Sequence, residues 1–193
     1  MRTLDGTHMR RLVTHDGKEW SNAAEDRVEL VDSDPTWTRQ YETEAGILLS
    51  ILPPVKGLRL EHFGSTAVPN LSAKPIIDIL LIHPEPVLWP ELVGPITSLG
   101  YVYWSENPRK DRMFFVKGMP PFGSRRTHHV HVRVPMDTAA ELSFRDLLRA
   151  NPALTRRYAM LKEVLATRYP NDRDAYIDGK AEFVAEVLGQ NAV

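Results

Sequence analysis

Residues 75–82 read PIIDILLI, an apolar run broken once, by Asp78. Clean alternation marks a strand with one wet face, whereas a run this continuous marks a strand covered on both faces. Within it Asp78 shares a face with Ile76, Leu80 and Ile82. Burying an unpaired carboxylate there costs several kcal/mol, so Asp78 must meet a metal, a cation or several donors, or lie where the sheet opens into a cleft. A structural carboxylate satisfied by backbone amides or an arginine is the competing reading.

Four further runs have strand character: LRLEHF at 58–63, YVYW at 101–104, MFFV at 113–116 and THHVHVRV at 127–134. Asp34 can cap a helix whose first position is Pro35 and whose stripe is Trp37, Tyr41, Ala45, Leu48 and Leu52, closed before Pro53. Pro90 opens a second helix with Leu92, Val93, Ile96 and Leu99 on its apolar face, ended by Gly100. Helices follow at 145–150, along Leu154, Tyr158, Leu161 and Leu165, and along Ile177, Val184 and Leu188. The pattern predicts an α/β (α+β) fold: a mixed sheet flanked by helices, with a helical C-terminal part. The chain has 193 residues, 42% of them hydrophobic, enough for one domain, placed at 28–190. Residues 1–27 lack a sustained period and read as a flexible leader.

With no cysteine, disulfides, thiolate zinc sites and cysteine nucleophiles are excluded. Lys plus Arg number 24 against 25 Asp plus Glu, so any basic site must be local, and neither nucleic acid nor a membrane is an expected partner. No segment resembles a signal peptide or a membrane span, and a cytoplasmic location is expected.

After the strand ending at Phe63, Gly64-Ser65-Thr66 offers a small turn whose N–H groups and hydroxyls can face an anion, although such tripeptides also make ordinary loops. In the 127–134 strand His129, His131 and Arg133 share one face, opposite Val130 and Val132. Two imidazoles two residues apart can share a metal or a phosphate oxygen, and a carboxylate from a neighbouring strand can complete the site; a solvated strand face is the bland alternative. Lys74, Lys110, Arg112, Lys117, Arg125 and Arg126 put positive charge around the same strand ends, which suits a polyanionic small molecule such as a nucleotide. Arg156, Arg157 and Arg168 read as solvated helix faces.

The motifs DPTW at 34–37, GSTAVP at 64–69, AKPIIDI at 73–79 and HHVHV at 128–132 together resemble the GrpB family, UPF0157, whose members are placed in the nucleotidyltransferase superfamily. The resemblance runs from about Val28 to Leu188. It implies a nucleotidyltransferase-like mixed sheet, with Gly64 and Ser65 as the phosphate turn and Asp78 as the first metal-binding carboxylate. Active nucleotidyltransferases usually carry a second acid two positions on and a third on a later strand; here those places hold Leu80 and the pair His129 and His131. Glu61 is a candidate for the missing carboxylate. The expected function is metal-assisted nucleotidyl transfer to an acceptor, with Asp78, His129 and His131 as catalytic and metal residues. Gly64, Ser65, Thr66, Lys74, Arg112 and Arg126 would bind the nucleotide, with Mg or Mn, or else Zn, as the ion. The alternatives are a non-catalytic nucleotide-binding or coenzyme A-linked accessory module, and a metal-dependent phosphohydrolase. Fusion of homologous domains to dephospho-coenzyme A kinase points to nucleotide or coenzyme A chemistry.

Overall fold

A computed structural model of the chain describes residues 12–13, 19–20, 27–107, 109–119 and 123–189. The strands among them are β1 (Leu12–Val13), β2 (Glu19–Trp20), β3 (Arg59–Phe63), β4 (Ile77–Ile82), β5 (Tyr101–Tyr103), β6 (Met113–Lys117) and β7 (His128–Arg133). The helices are α1 (Trp37–Ile51), α2 (Val93–Ser98), α3 (Ala139–Ala150), α4 (Pro152–Arg168), α5 (Arg173–Asp178) and α6 (Ala181–Gly189). β1 and β2 pair antiparallel; the rest of the expected leader up to residue 26 lies outside the described residues.

The main sheet has the order β3-β4-β7-β6-β5. β4 runs parallel to β7, and the remaining pairs are antiparallel. This topology builds the site. Because β3 runs against β4 and β7 runs with it, the end of β3 and the beginnings of β4 and β7 meet at one edge, where Phe63 pairs with Asp78 and Asp78 with His129. One sheet face carries Ile77, Ile79, Leu81, Val130, Val132 and Phe115, which form the main core with Leu48 of α1 and Ile96 of α2. The alternation then turns Asp78, His129 and His131 to the other face, beneath α3–α6. There Val68, Leu71, Leu148 and Tyr158 form a second cluster. Residues 28–31 strap the two halves: the Val28 N–H donates to Pro170 O at 2.8 Å, and Val31 exchanges both backbone bonds with Ala73.

Several helix boundaries differ from expectation. Pro86–Leu92 is a 3-10 turn and α2 begins at Val93, not Pro90. A helix opened at Pro90 would place Pro95 beyond its first turn, where Pro95 has no N–H to give Glu91 O; starting at Val93 keeps Pro95 within the first turn. The last helix is broken in two at Gly179 and Lys180. A Cβ at Gly179 would stand 2.5 Å from Leu165 Cδ2, so glycine lets the end of α5 pack closely against α4 at the break. Asp34 accepts the Thr36 N–H at 2.8 Å, and the helical turns of α1 begin at Trp37, two residues after Pro35.

Candidate functional site

The turn after β3 is held from behind. His62 points to the opposite face from Phe63 and stacks on Tyr41, with ring centroids 4.7 Å apart. Its Nε2 lies 3.1 Å from Thr66 Oγ1, and the Thr66 hydroxyl lies 3.3 Å from Ile76 O. Since that hydroxyl donates to the carbonyl, His62 must donate to it, which fixes the Nε2–H tautomer. Thr66 is 5% exposed. Its hydroxyl therefore anchors the turn to the residue before β4, while Gly64 and the Tyr158-bonded Ser65 are half-buried and line the cleft.

Burial holds the His62 imidazole down at about 4, against 6.5 for a free histidine. The unfolded chain takes up this proton as the pH drops below 6.5 and the folded chain does not. The contribution is thus complete above 6.5 and is lost as the pH falls toward 4. Its size is on the order of 2 kcal/mol at pH 5. Urea denaturation at pH 7.5 and pH 5 is expected to show a loss that includes this contribution, and His62→Asn should reduce the difference by about 2 kcal/mol; an unchanged difference in the variant would reject the assignment.

Gly64 has φ +73°, and a Cβ there would stand 2.6 Å from Asp78 Oδ2. The turn therefore lies directly against the carboxylate. Asp78 Oδ1 accepts from His129 Nδ1 at 3.0 Å, and His131 Nε2 stands 3.6 Å away. Burial would raise the Asp78 carboxyl, but the His129 and His131 rings outweigh it and hold the group well below the usual carboxylate range. Burial lowers His129 to about 3, more than Asp78 raises it, so a neutral imidazole donates Nδ1–H to an ionised carboxylate. This leaves the lone pair on Nε2. Among the described residues that atom is buried with no hydrogen-bond partner, as are both ring nitrogens of His131. The cause is local: Phe63 and Phe114 pack on the His131 ring with centroids 5.0 and 4.7 Å away, and neither offers a polar atom.

Orphaned ring nitrogens beside a carboxylate are the condition a cation relieves. One ligand atom from each of Asp78, His129 and His131 falls within 4.8 Å of the others. Two imidazoles and one carboxylate suit Zn, Mn or Fe better than Mg, which prefers oxygen ligands. Glu61 is placed elsewhere: it pairs with Arg145 at 2.9 Å, and Arg145 also donates to His62 O at 2.8 Å. Leu80, 1% exposed, sits between Glu61 and His131 across the sheet.

The cluster opens into a cavity of about 1350 Å³ between the sheet and α3–α6. Gly64, Ser65, Thr66, Lys74, Arg112 and Arg126 all line it. Lys74 approaches the Tyr176 ring at 5.5 Å. Arg112 is held by Asp111, at 2.8 and 3.1 Å, and Asp111 also meets Arg133 at 3.3 Å. Lys117 is absent from this wall, since it pairs with the buried Glu44, and Arg125 lines a separate shallow pocket beside it. The sequence reading missed Lys162, Arg173 and Lys180 on the helical side. Lys162 could have been found, because it lies four residues after Tyr158 and three before Leu165, on the buried stripe of α4.

Fold and site together define a mixed-sheet α/β domain with an Asp-His-His cluster at the mouth of a cationic cleft. The family model described as GrpB protein matches residues 27–190, and the chain belongs to the GrpB family. A UPF0157 protein of Pseudomonas aeruginosa is 53% identical over 175 residues, covering 91% of this chain and 72% of the relative. The crystal structure of the conserved protein GrpB from Enterococcus faecalis matches with a TM-score of 0.73 and 35% identity, over 84% of this chain and 96% of that one. A dephospho-CoA kinase of Mycolicibacterium paratuberculosis is 30% identical over 174 residues, which cover 78% of this chain and 42% of that enzyme. No helix among the described residues is long and apolar enough to cross a membrane.

Proposed function

We propose that this domain binds a nucleotide with its phosphates at Gly64 and Ser65 and, with a divalent ion held by Asp78, His129 and His131, transfers a nucleotidyl group to an acceptor. The observation that carries the reading is the orphaned His129 and His131 nitrogens gathered with Asp78 against the Gly64 turn. Transfer forms a bond from an acceptor oxygen to the α-phosphorus and breaks the bond to the leaving pyrophosphate. A bound ion supplies charge neutralisation at the phosphate oxygens. Lys74 and Arg126 steady the phosphates, and the Asp78 carboxylate orients His129.

Leu80, an apolar residue where a second acid would be expected, favours a second reading: binding without turnover. One series separates them. Thermal unfolding is followed with Mn, Zn or Mg and each nucleoside triphosphate, with dephospho-coenzyme A added because of the kinase likeness. Ligand at a hundredfold excess over its Kd stabilises by about 2.7 kcal/mol, a rise of roughly 5–10 °C for a domain of this size. Such a rise with Mn or Zn plus nucleotide, and pyrophosphate release with an acceptor, is expected. Stabilisation without release supports the binding module, release of inorganic phosphate supports a phosphohydrolase, and no stabilisation by any combination contradicts nucleotide binding.

A further inference from the structure

Three lysines line the helical side of the cleft: Lys74 before β4, Lys162 in α4 and Lys180 between α5 and α6. Each lies over a tyrosine. Lys74 Nζ is 5.5 Å and Lys180 Nζ 4.5 Å from the Tyr176 ring, and Lys162 Nζ is 5.2 Å from Tyr158. Lys162 is 1% exposed and donates to Ser72 O. Among the described residues no carboxylate comes within ion-pair distance of any of the three. Like charges so gathered oppose one another: burial first, and then neighbouring cations, lower Lys74 to about 6, Lys162 to about 7 and Lys180 to about 8. Asp78 is the acidic group that offsets this at Lys74 and Lys180. Were Asp78 engaged by a divalent ion, it would no longer serve as their counter-charge, and an anion from the ligand would take its place and favour the protonated amines.

We infer that Lys74, Lys162 and Lys180 form a second anion subsite, apart from the Gly64 turn, that takes a pyrophosphate group. The source is either the terminal phosphates of a nucleoside triphosphate or free pyrophosphate. The subsite deepens the nucleotide reading and, in the first case, rests on it. Tyr158 lies within reach of Ser65, so turn and lysines follow one another along the same wall. A triphosphate would span both, and a monophosphate would use the turn alone.

Calorimetric titration of the full chain with ATP, AMP and inorganic pyrophosphate tests this in wild type, Lys180→Gln, Lys180→Arg and Lys162→Met. Lys180→Gln should weaken ATP and pyrophosphate at least tenfold and leave AMP within twofold, and Lys180→Arg should restore both. Lys162→Met should repeat the pattern; if it does not fold, the Lys180 pair decides alone. Equal ATP affinity in wild type and Lys180→Gln, or an equal loss of AMP, overturns the subsite. Pyrophosphate binding that depends on Lys180 in a protein that binds no nucleotide keeps the subsite and removes the nucleotide reading. Wild-type protein that binds neither ATP nor pyrophosphate overturns the subsite.

Discussion

Asp78→Asn is expected to fold and to lose divalent-ion affinity by more than about a hundredfold. Asparagine keeps the volume and an oxygen that can accept from His129 Nδ1, now 3.0 Å from the carboxylate, but removes the negative charge. Loss of an outer-shell partner typically costs 10–100-fold in metal affinity, so loss of a charged ligand should cost more. The two imidazoles would remain in a cleft that Lys74 and Arg126 also line, without the carboxylate that holds His129. Metal-free nucleotide binding should change only a few fold, because the turn and the cationic side chains are untouched. Pyrophosphate release should fall by several orders of magnitude. Ion titration and turnover on the same preparation check both parts. An unchanged ion affinity would mean that the carboxylate only orients His129.

Gly64→Ala is expected to be the most destabilising small substitution at the site, by about 3 kcal/mol or more. Two causes add. The residue sits at φ +73° and ψ −169°, a region essentially reserved for glycine that costs another residue on the order of 1–3 kcal/mol. The new Cβ would also meet Asp78 Oδ2 at 2.6 Å and Asp78 Cβ at 3.2 Å, so either the turn or the carboxylate must shift. The sequence reading gave this glycine to phosphate approach; contact with Asp78 is a separate demand on the same position. A double-mutant cycle distinguishes the causes, since in an Asp78→Gly background the clash is gone and only the backbone strain remains. The cost of Gly64→Ala should then fall by at least half. A cost that is the same in both backgrounds would place the whole effect in the backbone.

What the sequence made legible was the part of the site written in strand periodicity. The apolar run around Asp78 and the alternation of HHVHV place these side chains on one face, and the parallel register sets Asp78 beside His129. Glu61 illustrates the limit. Its parity does turn it to the same face, but its partner Arg145 is 84 residues away, and no local pattern reveals that contact. The helical wall was hidden for a similar reason. Lys162 and Lys180 carry side chains that pattern arguments assign to solvent, and only the packing of α4–α6 over the sheet encloses them. The start of α2 fell three residues after Pro90 and the break at Gly179 and Lys180 was not expected, because apolar spacing continues across both places.

The most direct measurement is anomalous diffraction from crystals grown with Mn and a non-hydrolysable nucleoside triphosphate. A peak should appear about 2.0–2.2 Å from ligand atoms of Asp78, His129 and His131, the range for nitrogen and oxygen donors, with a phosphate group against the Gly64 and Ser65 backbone. Nucleotide density in the cleft without an ion at these three residues, or an ion bound only elsewhere, would contradict the assignment of Asp78, His129 and His131 as the metal centre.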